Sequence, residues 1–269
     1  MTLEEFETIR VEREGPVDWL VLNRPQALNS INTQMVTELR HYFHGLSENA
    51  STRIVVMRGE GRAFCAGLDI KQAGSTTDDA GHRPVGGGWG FQGYLAEVYI
   101  AMRRCPQPII SLVQGSACGG GFAFMLASDI RIAADNARMN AAFIRIGLSA
   151  CDMGTSYFLP RLVGTALASE LMLTGRFINA QRALATGLVS EVVREDELES
   201  AARSYIDDTL TTSPMGLRLT KEGLDMAIDA TSLESAMAIE NRNQILCSQS
   251  DDFKEGMRAF IEKRTPNYE

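Results

Sequence analysis

Three consecutive glycines, Gly119, Gly120 and Gly121, lead into an apolar run in CGGGFAFMLASD, residues 118–129. Glycine lets a backbone approach a ligand closely, and the first turn of a helix leaves N–H groups without partners. Such a turn can hold a polar ligand atom on its amides, yet it moves no proton, because Phe122, Ala123 and Phe124 follow. A second glycine-bearing turn, AFCAGLDIK at residues 63–71, also follows a strand and enters a helix. Two such turns can aim two backbone N–H groups at one point, which is the geometry of an oxyanion hole. Either turn alone reads as a tight connection; the pair is more specific.

Other chemistry finds weaker support. His41 and His44 share a helix face, but no third ligand stands at metal spacing, so no metal is expected. His82 falls in a Gly/Ser/Thr/Asp-rich stretch, and no GxSxG elbow announces a serine nucleophile. GWGFQG, with Gly88, Gly90 and Gly93, matches a dinucleotide fingerprint formally but has no strand before it and no βαβ frame.

The elements that must position the two turns follow from hydrophobic period. TIRVEREGPVDWLVLNRP reads as two strands around Gly15-Pro16, and RIVVMRGEG, PIISLVQG and DIRIAAD as compact strands ended by turns. NTQMVTELRHYFHGLSEN places Met35, Leu39, Phe43 and Leu46 on one helical face. Strands alternating with helices predict an α/β core. Residues 73–94 break the rhythm and read as a long surface loop, either a lid or a flexible insertion. From residue 196 onward the pattern is helical, with Thr231 and Glu234 as a capping box, so residues 1–195 form the expected core and 196–269 a helical appendage.

Composition narrows the partners. With 45% hydrophobic and 22% charged residues the 269-residue chain is an ordinary globular sequence, and a net charge of -8 argues against nucleic acid. Five cysteines without CxxC pairing, an opening MTLEEFETIR without leader character and no membrane-length apolar run predict a cytoplasmic protein that meets no membrane.

NRPQALNSIN, AFCAGLDI, GSACGGGFAFMLASDIRIA, GTSYFLPRLVG and LMLTGRFINAQRALATGLVSEVV, in this order, resemble the successive signatures of the crotonase (enoyl-CoA hydratase/isomerase) superfamily. The resemblance implies a spiral of ββα turns with a C-terminal helical trimerisation region. It also implies an acyl-CoA thioester substrate, no cofactor beyond the coenzyme A that substrate carries, and assembly as a trimer or dimer of trimers. Matched to the motifs, the oxyanion-hole amides are those of Leu68 and Gly120. Ala66, Asp69 and Ile70 fall where the family's strand end meets the CoA adenine, and Arg24 is a phosphate neighbour or a solvated arginine.

The two glutamates that family hydratases use for adding water correspond to Ala123 and Phe143 here. Neither side chain moves a proton, which puts the usual two-carboxylate hydration in doubt. The corresponding turn of dienoyl-CoA isomerases and of 4-chlorobenzoyl-CoA dehalogenase holds a catalytic aspartate, and Asp152 occupies it here. Asp152 reads either as a helix N-cap or as the sole proton carrier, its pKa raised by an acyl pocket of Phe122, Ala123, Phe124 and Phe143. Glu97 is a further acid for that pocket or a solvated charge on a helix. These readings predict double-bond isomerisation, with hydration or lyase chemistry on non-standard acids and non-catalytic acyl-CoA binding as alternatives.

Overall fold

The computed structural model describes residues 6–73 and 85–268. The first hairpin pairs β1 (Ile9–Glu14) with β2 (Val17–Leu22) antiparallel, around Gly15 at φ 57°. Helix α1 (Thr33–Gly45) begins at Asn32, whose side chain accepts from the Met35 amide, and leads to β3 (Ile54–Gly59). The short α2 (Ile70–Ala73) and the long α3 (Val85–Arg104) precede β4 (Ile109–Val113). Then come β5 (Ser116–Cys118), α4 (Gly120–Ala127), β6 (Ile130–Ala134) and β7 (Arg138–Asn140). Helix α5 (Thr155–Thr174), β8 (Ile178–Asn179), α6 (Ala180–Ala185) and β9 (Glu191–Val193) complete the sheets. Helices α7 (Leu198–Leu210), α8 (Pro214–Ala227), α9 (Leu233–Ser248) and α10 (Asp251–Glu262) close the chain.

Strands β1-β2-β3-β4-β6-β9 form one sheet, parallel except for the first pair, and β5-β7-β8 form a smaller one. The large sheet is covered on both faces, which is why β2, β3 and β4 read as nearly unbroken apolar runs. In β3, Val55 and Met57 enter the core shared with α1, α3, α4 and α5, whereas Ile54 and Val56 face the opposite way. There Leu198, Ala202 and Ile206 of α7 fill the outer face. The expected boundary at residue 196 therefore precedes a helix that is itself a layer of the core.

Two expectations about local structure change. Residues 85–94 are not loop: they are the first turns of α3, whose buried Leu95, Val98, Tyr99 and Met102 anchor it to the core. Tertiary burial outweighs the poor helix propensity of the glycines. The lid reading of 74–84, His82 included, lies outside the described residues. Helix α9 is capped by Ser232, one residue after Thr231, through its hydroxyl and the Ser235 amide.

Helix α8 is tied to the core by Lys221, only 6% exposed. Its ammonium donates to Gln107 O at 2.8 Å and Met102 O at 3.2 Å and pairs with Asp129 at 2.9 Å. Arg103 bridges the same Asp129 at 3.1 Å and also pairs with Asp225. No helix among the described residues is long and apolar enough to cross a membrane.

Candidate active site

The two glycine turns lie side by side. Cys65 N donates to Ser116 O at 3.0 Å, and Cys118 N donates back to Cys65 O at 2.9 Å. The approach is too close for any side chain between them: a Cβ on Gly121 would sit 2.2 Å from Cys65 O, and one on Gly67 2.7 Å from Cys118 O. That same Gly67 position is 3.6 Å from Gly120 N, so the ends of both turns converge. Gly67 (φ 93°) and Gly119 (φ 51°) adopt the left-handed region that turns the following amide inward.

Those following amides belong to Leu68 and Gly120, the two expected donors. The bridge between Ile31 and Leu68 uses Gly67 O and Asp69 N, so Leu68 N–H points away from it. Gly120 is the first residue of α4, where the helix ladder supplies no acceptor. Neither amide donates to a partner among the described residues. Two unpaired N–H groups, one at the positive end of a helix, form a site suited to developing negative charge on an oxygen.

Tyr99, overlooked in the sequence, braces this arrangement. Its hydroxyl donates to Gly120 O at 3.1 Å, and its ring stacks on Phe124 with centroids 4.8 Å apart. Burial pushes its phenol pKa well above the ordinary value, so it stays a neutral donor. The signal was its place in a run of apolar residues at helical spacing.

Asp152 is half-buried beside Tyr99, close enough for its charge to act on the phenol. It is not the side-chain cap of α5. Gly154, left-handed at φ 77°, occupies the N-cap, and only the backbone carbonyl of Asp152 takes the Thr155 amide, at 2.8 Å. The carboxylate is turned elsewhere: Oδ1 accepts from its neighbour Met153 N at 3.0 Å and from Gln92 Nε2 at 2.5 Å. Burial raises the Asp152 carboxyl above its usual pKa, and these two hydrogen bonds oppose the rise. Met153 itself holds φ 47°, and Leu28 and Asn29 (φ 51° and 54°) flank the other side, with Leu28 O accepting from Ala66 N at 3.0 Å. Among the described residues, three of the four positive-φ residues other than glycine thus border this site, the kind of local strain that clusters at functional sites.

The remaining candidates divide. Phe143 packs over the oxyanion turn, its ring 3.6 Å from a Cβ built on Gly119, while Phe122 and Ala123 are fully buried behind it. None of the three carries a titratable group. Glu97 is not brought here. Two residues before Tyr99 it projects about 200° around the helix, and its carboxylate lies 3.7 Å from His44 and 3.9 Å from Arg104. Arg24 is buried, not solvated: its guanidinium donates to Ser30 O and pairs with Asp69 at 2.9 Å. Ile70 is 60% exposed beside them, and Ala66 is half-buried at the strand end. Beyond Asp152, Tyr99, Ile100, Met153, Phe158 and Met226 line a groove of about 990 Å³ between α3, α5 and α8.

Comparison with known proteins agrees with this architecture. The enoyl-CoA hydratase/isomerase family model matches residues 12–269. The chain is 37% identical over 247 residues to the "Probable enoyl-CoA hydratase echA12" of Mycobacterium leprae, covering 91% of this chain and 84% of that protein. It is 31% identical to the short-chain-enoyl-CoA hydratase of Clostridium acetobutylicum, covering 97% of each. The crystal structure of an enoyl-CoA hydratase from Bacillus anthracis superposes with a TM-score of 0.91 at 32% identity, covering 97% of this chain and 99% of that one.

Proposed function

Since the chain belongs to the enoyl-CoA hydratase/isomerase family, we propose that it moves a double bond in an acyl-CoA thioester by proton transfer through Asp152. The observation that carries this reading is the convergence of two unpaired amides, Leu68 and Gly120, beside one carboxylate. Ala123 and Phe143 supply no second acid. The Asp152 carboxylate takes a proton from the α-carbon of a 3-enoyl thioester, and the electron pair passes to the carbonyl oxygen. The Leu68 and Gly120 N–H groups hold the resulting dienolate oxygen. The protonated Asp152 then returns its proton to the γ-carbon, the carbonyl re-forms and a 2-enoyl thioester leaves. A carboxyl raised by burial is a stronger base once ionised, which favours the first step.

Coenzyme A is assigned to the strand end at Ala66, Asp69 and Ile70. The Arg24–Asp69 pair supports this by cancelling a carboxylate charge that would repel a phosphate. The acyl part is assigned to the groove beyond Met153. The working form is assigned as a cytoplasmic homo-oligomer, a trimer or dimer of trimers. Leu224, Leu233, Ile245, Phe260 and Ile261 on α8, α9 and α10 are each at least 65% exposed and await cover.

The names of the relatives favour a second reading, hydration with Asp152 as the only acid–base group. Incubating 2- and 3-enoyl-CoA in D2O enriched in H2¹⁸O separates the readings. Isomerisation puts deuterium at the α- or γ-carbon without ¹⁸O, whereas hydration yields an ¹⁸O-labelled hydroxyacyl product. A non-catalytic binder labels nothing at any protein concentration. Asp152→Asn removes the exchange if the assignment of the base is right; unchanged exchange in that variant sinks it.

A further inference from the structure

Gln92 has no place in the proton transfer just described, yet its side chain makes the shortest contact to the group that performs it. We propose that Gln92 is a positioning residue: its amide fixes Oδ1 of Asp152 and leaves Oδ2 as the oxygen that carries the proton. The inference rests on the reading of Asp152 as the base.

The geometry points to a division of labour between the two carboxylate oxygens. Oδ1 receives both hydrogen bonds, from Gln92 Nε2 at 2.5 Å and from Met153 N at 3.0 Å. Oδ2 accepts nothing among the described residues. The two donors come from different elements, α3 and the turn before α5, so together they set the plane of the carboxyl group as well as its position. Gln92 lies seven residues before Tyr99, about two helical turns, and therefore on the same face of α3. One helix face thus reaches both halves of the site: Tyr99 holds Gly120 and Gln92 holds Asp152. The groups acting on the carboxylate are the Gln92 amide and Tyr99 phenol from α3 and the Met153 N–H from its own turn. No cation among the described residues stands with them. A neutral donor suits a base better than an arginine would, since a cation so close would hold the carboxyl too acidic to take a proton.

Substitution at Gln92 separates a donor from a filler, and because the side chain is exposed the fold tolerates the change. Gln92→Met keeps the length and removes the donor; Gln92→Glu puts a like charge in its place. Exchange of the α-proton requires ionised Asp152, so its rate rises with pH along a limb set by that carboxyl. The limb is expected to move to higher pH in the order wild type, Gln92→Met, Gln92→Glu. The pH-independent kcat of Gln92→Met is expected to fall roughly tenfold, as for loss of a hydrogen bond to a charged group, with KM unchanged because the role proposed for Gln92 acts through Asp152. If Asp152→Asn is inactive while Gln92→Met keeps the wild-type limb and kcat, the positioning role is overturned and the base stands. If Asp152→Asn exchanges at the wild-type rate, the base is wrong and the positioning role falls with it.

Discussion

The two halves of the site are built in opposite ways. The half proposed to polarise the carbonyl is backbone, pressed between two closely packed turns. The half proposed to carry the proton is side chain, held by a residue on the glycine-rich first turns of α3. Polarising the carbonyl needs donors that do not move, and the core supplies them without titratable groups. Moving a proton needs a carboxylate whose charge changes, and this one stands where its environment can be adjusted. Here the two amides are fixed by packing and the carboxylate by a few polar contacts.

The contrast can be broken first at the carboxylate. Asp152→Asn is expected to lower the exchange rate by about 10²- to 10⁴-fold, the usual contribution of a general base, while leaving acyl-CoA affinity intact by calorimetry. Next in size is Gly121→Ala, which attacks the opposite half. Its Cβ meets Cys65 O at 2.2 Å, so the turns must separate, costing about 2–3 kcal/mol in a urea titration and weakening thioester polarisation together with stability. Gly90→Ala and Gly93→Ala test the pliant half from the other side. Nothing lies within 4 Å of either position, so each should stabilise the helix by about 0.8–1 kcal/mol, seen as slower hydrogen exchange in the amides around Gln92.

The smallest effect is a pH-dependent one. Burial raises the folded-state pKa of Asp152, so the folded protein holds that proton more tightly than the unfolded chain. Stability from this group is present at low pH and is lost as pH rises through the folded pKa. Asp152→Asn should therefore melt slightly above wild type at neutral pH, with the advantage disappearing on acidification. An advantage that grows in acid would mean the carboxyl is not desolvated.

What the sequence disclosed follows the same division. The glycine turns were legible because what they set is backbone geometry, and glycine alone suits Gly67's φ and the approach at Gly121. The side-chain half was harder to read. Gly154 starts α5 in the left-handed region, which frees the Asp152 carboxylate from capping and lets it turn to Gln92. That partner was hidden because five glycines between Gly86 and Gly93 make a helix look like a loop. Its helical state comes from the buried side chains further along α3, a long-range effect. Glu97 lies on a different side of α3 from Tyr99, with His44 and Arg104, which only the three-dimensional placement of Tyr99 reveals. Arg24 read as a phosphate neighbour or a solvated arginine; the second reading fails because Asp69, its partner in the buried pair, is distant in sequence.

Lys221 makes the tail part of its own core. With its ammonium sunk among Gln107 O, Met102 O and Asp129, α8 cannot swing away without leaving Asp129 to Arg103 alone and taking a donor from two carbonyls, at about 1–3 kcal/mol for each group left unsatisfied. The C-terminal helices are therefore fastened through α8 to the core of their own chain.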